Sequence, residues 1–286
     1  MNVEKISWKS NGLKILGEVY IPAGRSRPFP ALVICHGIPA KVKEPHDRGY
    51  PLLAERFCQE GFFVLIFNFR GAGLSEGNFD ILGWTRDLEA ALDYLALRPE
   101  LDQKRVFLMG FSGGAAVSIY VAAHRKKIAA LVSCASPAEL RDLTRGKGLE
   151  DFLTHARDVG IIRDANFPVS IKEWKKSFRT VRPLDWVDRI PPRPFLIIQG
   201  TEDDIVDVSH ARNLYEKVRG KAELFLIEGA DHRLRVDERA VRKALEWLKR
   251  IAFSAQLKTN IKAGHFEFNL HLERHFCIRR KLIADR

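Results

Sequence analysis

Five short runs of this chain are almost continuously apolar: ALVICHG (31–37), FFVLIFN (62–68), RVFLMG (105–110), IAALVSC (128–134) and PFLIIQG (194–200). A strand with one wet face alternates apolar and polar residues, so runs of this kind belong to strands covered on both sides. Between them the period changes. Trp84, Leu88, Ala91, Leu92 and Leu95 recur at helical spacing, and further helical patterns cover roughly 50–60, 113–124, 208–219 and 237–251. Strands alternating with helices specify a doubly wound, mostly parallel sheet. VEKISW (3–8) and KILGEVYIP (14–22), joined by the turn residues Ser10-Asn11-Gly12, add an N-terminal antiparallel hairpin, and AELFLIEG (222–229) supplies the last strand. The expected architecture is an eight-stranded α/β sheet.

One interval breaks the rhythm. Residues 136–193 separate two buried strands by far more than one helix requires. Leu149, Phe152, Leu153 and Ala156 form one helical stripe in it, and Phe167, Ile171, Trp174 and Phe178 form another. An insertion of about residues 138–193 at the end of a central strand reads as a small helical lid over a site. The main domain is therefore expected to span 1–251. Residues 252–286 form a C-terminal extension in which HFEFNLHLERHF alternates like a half-buried strand, suited to an edge strand or a contact in a homo-oligomer. Its histidines fit a solvated polar face, and no metal is implied.

Composition narrows the classes. With 46% hydrophobic and 29% charged residues the chain is expected to be soluble and globular, and no window approaches the roughly 18 apolar residues of a membrane span. Cys35, Cys58, Cys134 and Cys277 lack metal or redox spacing, so disulfides are not expected and a cytoplasmic setting fits. The formal charge of +11 raises the question of nucleic acid, but the cations are interspersed with acids and accompany no nucleic-acid module. Neither GxGxxG nor a P-loop is present, and no cofactor is implied.

Chemistry concentrates at Gly110-Phe111-Ser112-Gly113-Gly114. GxSxG alone is a weak pattern. Here a buried strand precedes it and the small-residue helix AAVSIYVAA follows at once, the strand, tight turn and helix that a nucleophile elbow needs. Ser112 is the candidate nucleophile. A serine hydroxyl must be activated by a base that a carboxylate orients. The strand PFLIIQG ends in Thr201-Glu202-Asp203-Asp204-Ile205-Val206-Asp207, and AELFLIEG ends in Ala230-Asp231-His232. Serine, aspartate and histidine, each following a buried strand, have the chain order of this architecture.

Five motifs make the chain resemble the α/β-hydrolases, in particular the serine esterases of the cinnamoyl-esterase-like and dienelactone-hydrolase-like group: Cys35-His36-Gly37, Asn68-Phe69-Arg70-Gly71-Ala72-Gly73-Leu74-Ser75, the elbow, Gly200-Thr201-Glu202-Asp203 and Gly229-Ala230-Asp231-His232. The resemblance covers about 5–251. It implies a triad of Ser112, His232 and Asp203, with Asp204 the near rival and Asp207 standing where relatives often have proline. It also implies an oxyanion hole from the backbone N–H groups of Ile38 and Gly113, a structural rather than basic role for His36, and a bracing turn at Arg70-Gly71-Ala72-Gly73. Asn68 replaces the aspartate common in relatives, which touches local hydrogen bonding and not the chemistry. The implied activity is hydrolysis of a small-molecule carboxylic ester through an acyl-enzyme. Phe152, Trp174 and Phe178 of the lid could bind a short or aryl acyl group, or could simply anchor the lid. Peptide and thioester hydrolysis use the same machinery, although peptidases of this type usually carry an access-restricting domain for which 286 residues leave no room. A non-catalytic binding module is the remaining class, and such relatives generally lose a triad member.

Overall fold

The computed structural model describes residues 1–24, 27–41, 49–141, 143 and 146–254. The chain divides into two compact units, Met1–Ala244 and Leu245–Arg286. In the first, eight strands form one sheet: β1 (Asn2–Ser10), β2 (Leu13–Ile21), β3 (Phe29–Cys35), β4 (Phe63–Asn68), β5 (Leu101–Phe111), β6 (Ala130–Cys134), β7 (Phe195–Gly200) and β8 (Glu223–Ile227). Their spatial order is β1-β2-β4-β3-β5-β6-β7-β8. β1 and β2 form the expected hairpin, β2 lies antiparallel to β4, and every pairing from β4 to β8 is parallel. The strands read as continuous apolar runs are the central ones, and β3, β6 and β7 are buried along their whole length.

Helices α1 (Gly49–Gln59), α2 (Ile81–Ala96), α3 (Gly113–His124) and α6 (Val208–Lys217) connect the parallel strands, and α7 (Glu238–Ala252) follows β8. α2 begins at Asp80, whose carboxylate accepts the N–H groups of Leu82 and Gly83, and buries Trp84, Leu88, Ala91, Leu92 and Leu95, the stripe read from the sequence. α3 is apolar all round because it is buried all round.

The insertion holds α4 (Gly146–Asp158), α5 (Ile171–Thr180) and two 3₁₀ turns, Pro183–Asp185 and Val187–Arg189. Phe167, assigned by its spacing to the second lid helix, lies before it. Ser170 is extended and caps the N–H of Glu173, so the helix starts only at Ile171. Cys35, Cys58 and Cys134 are buried free thiols. The strand pattern in 265–275 and Cys277 lie outside the described residues.

Candidate active site

The carboxyl ends of β3, β5, β7 and β8 carry the residues singled out by sequence. β5 passes directly into Ser112, whose φ of 51° and ψ of −123° place a non-glycine residue at positive φ. Such a conformation costs about 1–3 kcal/mol and persists only where its surroundings hold it. Here the Ser112 N–H donates to Cys134 O on β6 at 2.9 Å, and its carbonyl accepts from Ala115 and Ala116 at the start of α3. The flanking glycines are a steric requirement. A β-carbon on Gly110 would lie 2.5 Å from Ala115 Cα, and one on Gly114 would lie 2.2 Å from the His36 carbonyl. The same crowding brings the loop after β3 against the elbow, since a β-carbon on Gly37 would stand 2.9 Å from Ser112 Cβ and 3.6 Å from its Oγ.

That loop is held from two sides. Phe69 N–H donates to His36 Nε2 at 3.1 Å, so Nε2 is an acceptor and the proton sits on Nδ1. Nδ1–H then donates to Gly37 O at 2.7 Å. Burial lowers the pKa of His36, partly offset by that bond, so the ring stays neutral with this tautomer. With both nitrogens engaged, His36 has no free base to offer. Its effect falls on the next peptide. The Gly37–Ile38 bond is trans, so its C=O and N–H point in opposite directions, and fixing the carbonyl on His36 turns the Ile38 N–H the other way. Ile38 lies beside Gly113, with its Cγ1 3.5 Å from where a Gly113 β-carbon would be. Gly113 opens α3, where an N–H has no partner within the helix. Neither amide meets an acceptor among the described residues, so two adjacent donors are available to a developing oxyanion.

The acid and base candidates come together at the ends of β7 and β8. His232 Nδ1 lies 2.8 Å from Asp203 Oδ2 and 3.0 Å from Oδ1. The Asp203 side chain is 0% exposed and that of His232 22%. Burial opposes the Asp203 charge, but the bonds from His232 and from the N–H groups of Val206 and Ile205 outweigh it, and its pKa is lowered. Gln199 Nε2 adds a bond at 2.8 Å. Asp204 is exposed, and Asp207 caps α6 by accepting from Ser209 N–H, so neither holds the histidine. Ser112 Oγ and His232 are not hydrogen-bonded to each other.

The turn after β4 braces the site. Arg70 pairs with buried Asp87 at 2.7 Å, while its carbonyl accepts Trp84 Nε1–H. Asn68 contributes its backbone carbonyl, which accepts from Ser75 Oγ at 2.6 Å. Lid residue Arg163 reaches the carbonyls of Gly71, Gly73 and Ser75, and His155 Nε2 lies 2.9 Å from Pro39 O, tying α4 to the oxyanion loop. The lid aromatics pack against one another and against Phe79. Phe152, Trp174 and Phe178 are buried around Phe79, and Trp174 Nε1–H donates to Phe79 O at 3.2 Å. Apolar rings packed in this way fit the alternative in which they anchor the lid.

Sequence reading missed Gln199 and Tyr50. A glutamine inside an otherwise apolar strand was a visible signal for the first. Tyr50 Oη accepts Gly37 N–H at 3.3 Å, and nothing in its neighbourhood in sequence marks it.

A family model described as the alpha/beta hydrolase fold matches residues 30–160. The chain is 23% identical to a polyketide transferase of Stachybotrys chlorohalonatus over 88% of this chain and 98% of that protein. It is similar to the solved structure of an alpha/beta hydrolase from a Penicillium species, with a TM-score of 0.67, 19% identity, and coverage of 88% of this chain and 99% of that one. It is similar also to that of an esterase from Pyrococcus furiosus, with a TM-score of 0.63, 25% identity, and coverage of 87% and 92%.

Proposed function

Because the chain belongs to the α/β-hydrolase superfamily, we propose that it is a serine hydrolase of carboxylic esters acting through Ser112, His232 and Asp203. The observation that carries this reading is the coincidence, at one sheet edge, of a serine at positive φ, two amides beside it that meet no acceptor among the described residues, and a histidine oriented by a buried carboxylate. Superfamily membership and the esterase neighbour support hydrolase chemistry in general.

In the proposed reaction His232 Nε2 takes the Ser112 proton as Oγ bonds to the acyl carbon, and the carbonyl electron pair moves onto oxygen. The amides of Ile38 and Gly113 receive that charge without having to reorient. Collapse expels the alkoxide, which takes the proton from His232, and water repeats the sequence to free the acid. Asp203 keeps the proton of the resting ring on Nδ1 and so leaves Nε2 to act. None of the described helices is long and apolar enough to cross a membrane.

Hydrolysis of p-nitrophenyl butyrate against the matching p-nitroanilide tests the bond class. The ester is cleaved and the anilide is not, and Ser112→Ala abolishes the difference. Cleavage of the anilide at a comparable rate favours the peptidase reading instead.

A further inference from the structure

Tyr50 touches three of the four strand ends that carry the proposed site. Its hydroxyl accepts the N–H of Gly37 in the oxyanion loop at 3.3 Å. Its ring meets Phe111, the residue before Ser112, edge-on with centroids 5.7 Å apart, and it meets the His36 ring at 6.1 Å. The guanidinium of Arg235, three residues beyond His232, stands 5.5 Å from its centroid. These contacts come from the loops after β3, β5 and β8, so the phenol lies among the segments that carry the oxyanion donors, the nucleophile and the base.

The hydroxyl has one bond and one proton left over. As an acceptor it is satisfied by Gly37, but its O–H meets no acceptor among the described residues. Burial raises the pKa of this phenol well beyond neutral pH, so the proton is present whenever the enzyme works. A half-buried hydroxyl with an unused proton is costly in the resting protein unless something supplies the missing acceptor.

We propose that Tyr50 is a third, side-chain donor of the active site, giving its O–H hydrogen bond to the substrate's carbonyl oxygen as that oxygen gains charge beside Ser112. The proposal rests on the serine-hydrolase reading above. No proton is transferred in this step: the Ser112 proton goes to His232, and Tyr50 only donates a hydrogen bond that strengthens toward the tetrahedral intermediate. The Gly37 N–H bond meanwhile holds the phenol oxygen in place, so the loop and the side-chain donor position each other.

The test compares wild type, Ser112→Ala, Tyr50→Phe and a protein carrying 3,5-difluorotyrosine at 50, all as full chains with p-nitrophenyl butyrate. Tyr50→Phe keeps the ring contacts, and its kcat falls by about 10²- to 10³-fold while KM changes little, as for loss of one donor to the oxyanion. Difluorotyrosine loses its proton at lower pH, so the alkaline limb of kcat moves to lower pH. A purely structural tyrosine leaves that limb where it was. Tyr50→Phe within twofold of wild type, or an unmoved limb, overturns the proposal while leaving the serine reading intact. A wild-type chain that does not hydrolyse the ester, or a Ser112→Ala chain that does so equally well, overturns both.

Discussion

His232 Nδ1 lies 2.8 Å from Oδ2 of Asp203, and that carboxylate is completely enclosed. A buried carboxylate that accepts from an imidazole and two backbone amides is an orienting group, not an acid that gives up a proton. Asp203→Asn keeps the shape and allows the wrong tautomer, so kcat is expected to fall by about 10⁴-fold. Asp204→Asn, at an exposed neighbour, stays within about twofold because surface changes away from a site rarely matter. Steady-state kinetics of the two variants separate the rival aspartates.

The same carboxylate makes stability depend on pH. Its folded pKa lies below the ordinary 3.8, so its contribution is fully present above that value and is lost as pH falls through the lower, folded one. Urea titrations are expected to show wild type and Asp203→Asn converging below about pH 4, with the difference constant between about pH 5 and 7. A difference that grows as pH falls would have the wrong sign.

His36 acts through the peptide it holds. His36→Ala frees the Gly37 carbonyl, and kcat is expected to drop by about 10²-fold, comparable to losing one oxyanion donor, with KM little changed. His36→Asn can return an N–H near the Nδ1 position and restores part of the loss. A base at this position would not be rescued by an amide.

Trp174→Ala probes the lid. Removing this ring from its cluster with Phe79, Phe152 and Phe178 is expected to destabilise the protein by about 3–5 kcal/mol. The ratio of rates on acetyl, butyryl and benzoyl esters stays unchanged. Thermal melts and a three-ester panel read both outcomes.

The sheet was legible because burial on both faces leaves no alternation in β3, β6 and β7, and because helical stripes such as that of Trp84 fall between such runs. Ser112 was legible for a local reason: the glycines two before and two after it, Gly110 and Gly114, are demanded by contacts under 3 Å. Asp203 was harder to separate from Asp204, since the choice depends on which side chain the loop turns inward. Tyr50 is defined by its bond to Gly37 on another element, and Gln199 by the turn that brings Asp203, four residues on, back onto its side chain. Lid packing was the least legible, because an apolar helical stripe looks the same whether it faces a substrate or Phe79.

Intact-mass analysis after treatment with a fluorophosphonate, on wild type and Ser112→Ala side by side, tests the nucleophile most directly. A single adduct on wild type and none on the variant is the expected result. No adduct on wild type, or an equal adduct on Ser112→Ala, would contradict an activated serine at position 112.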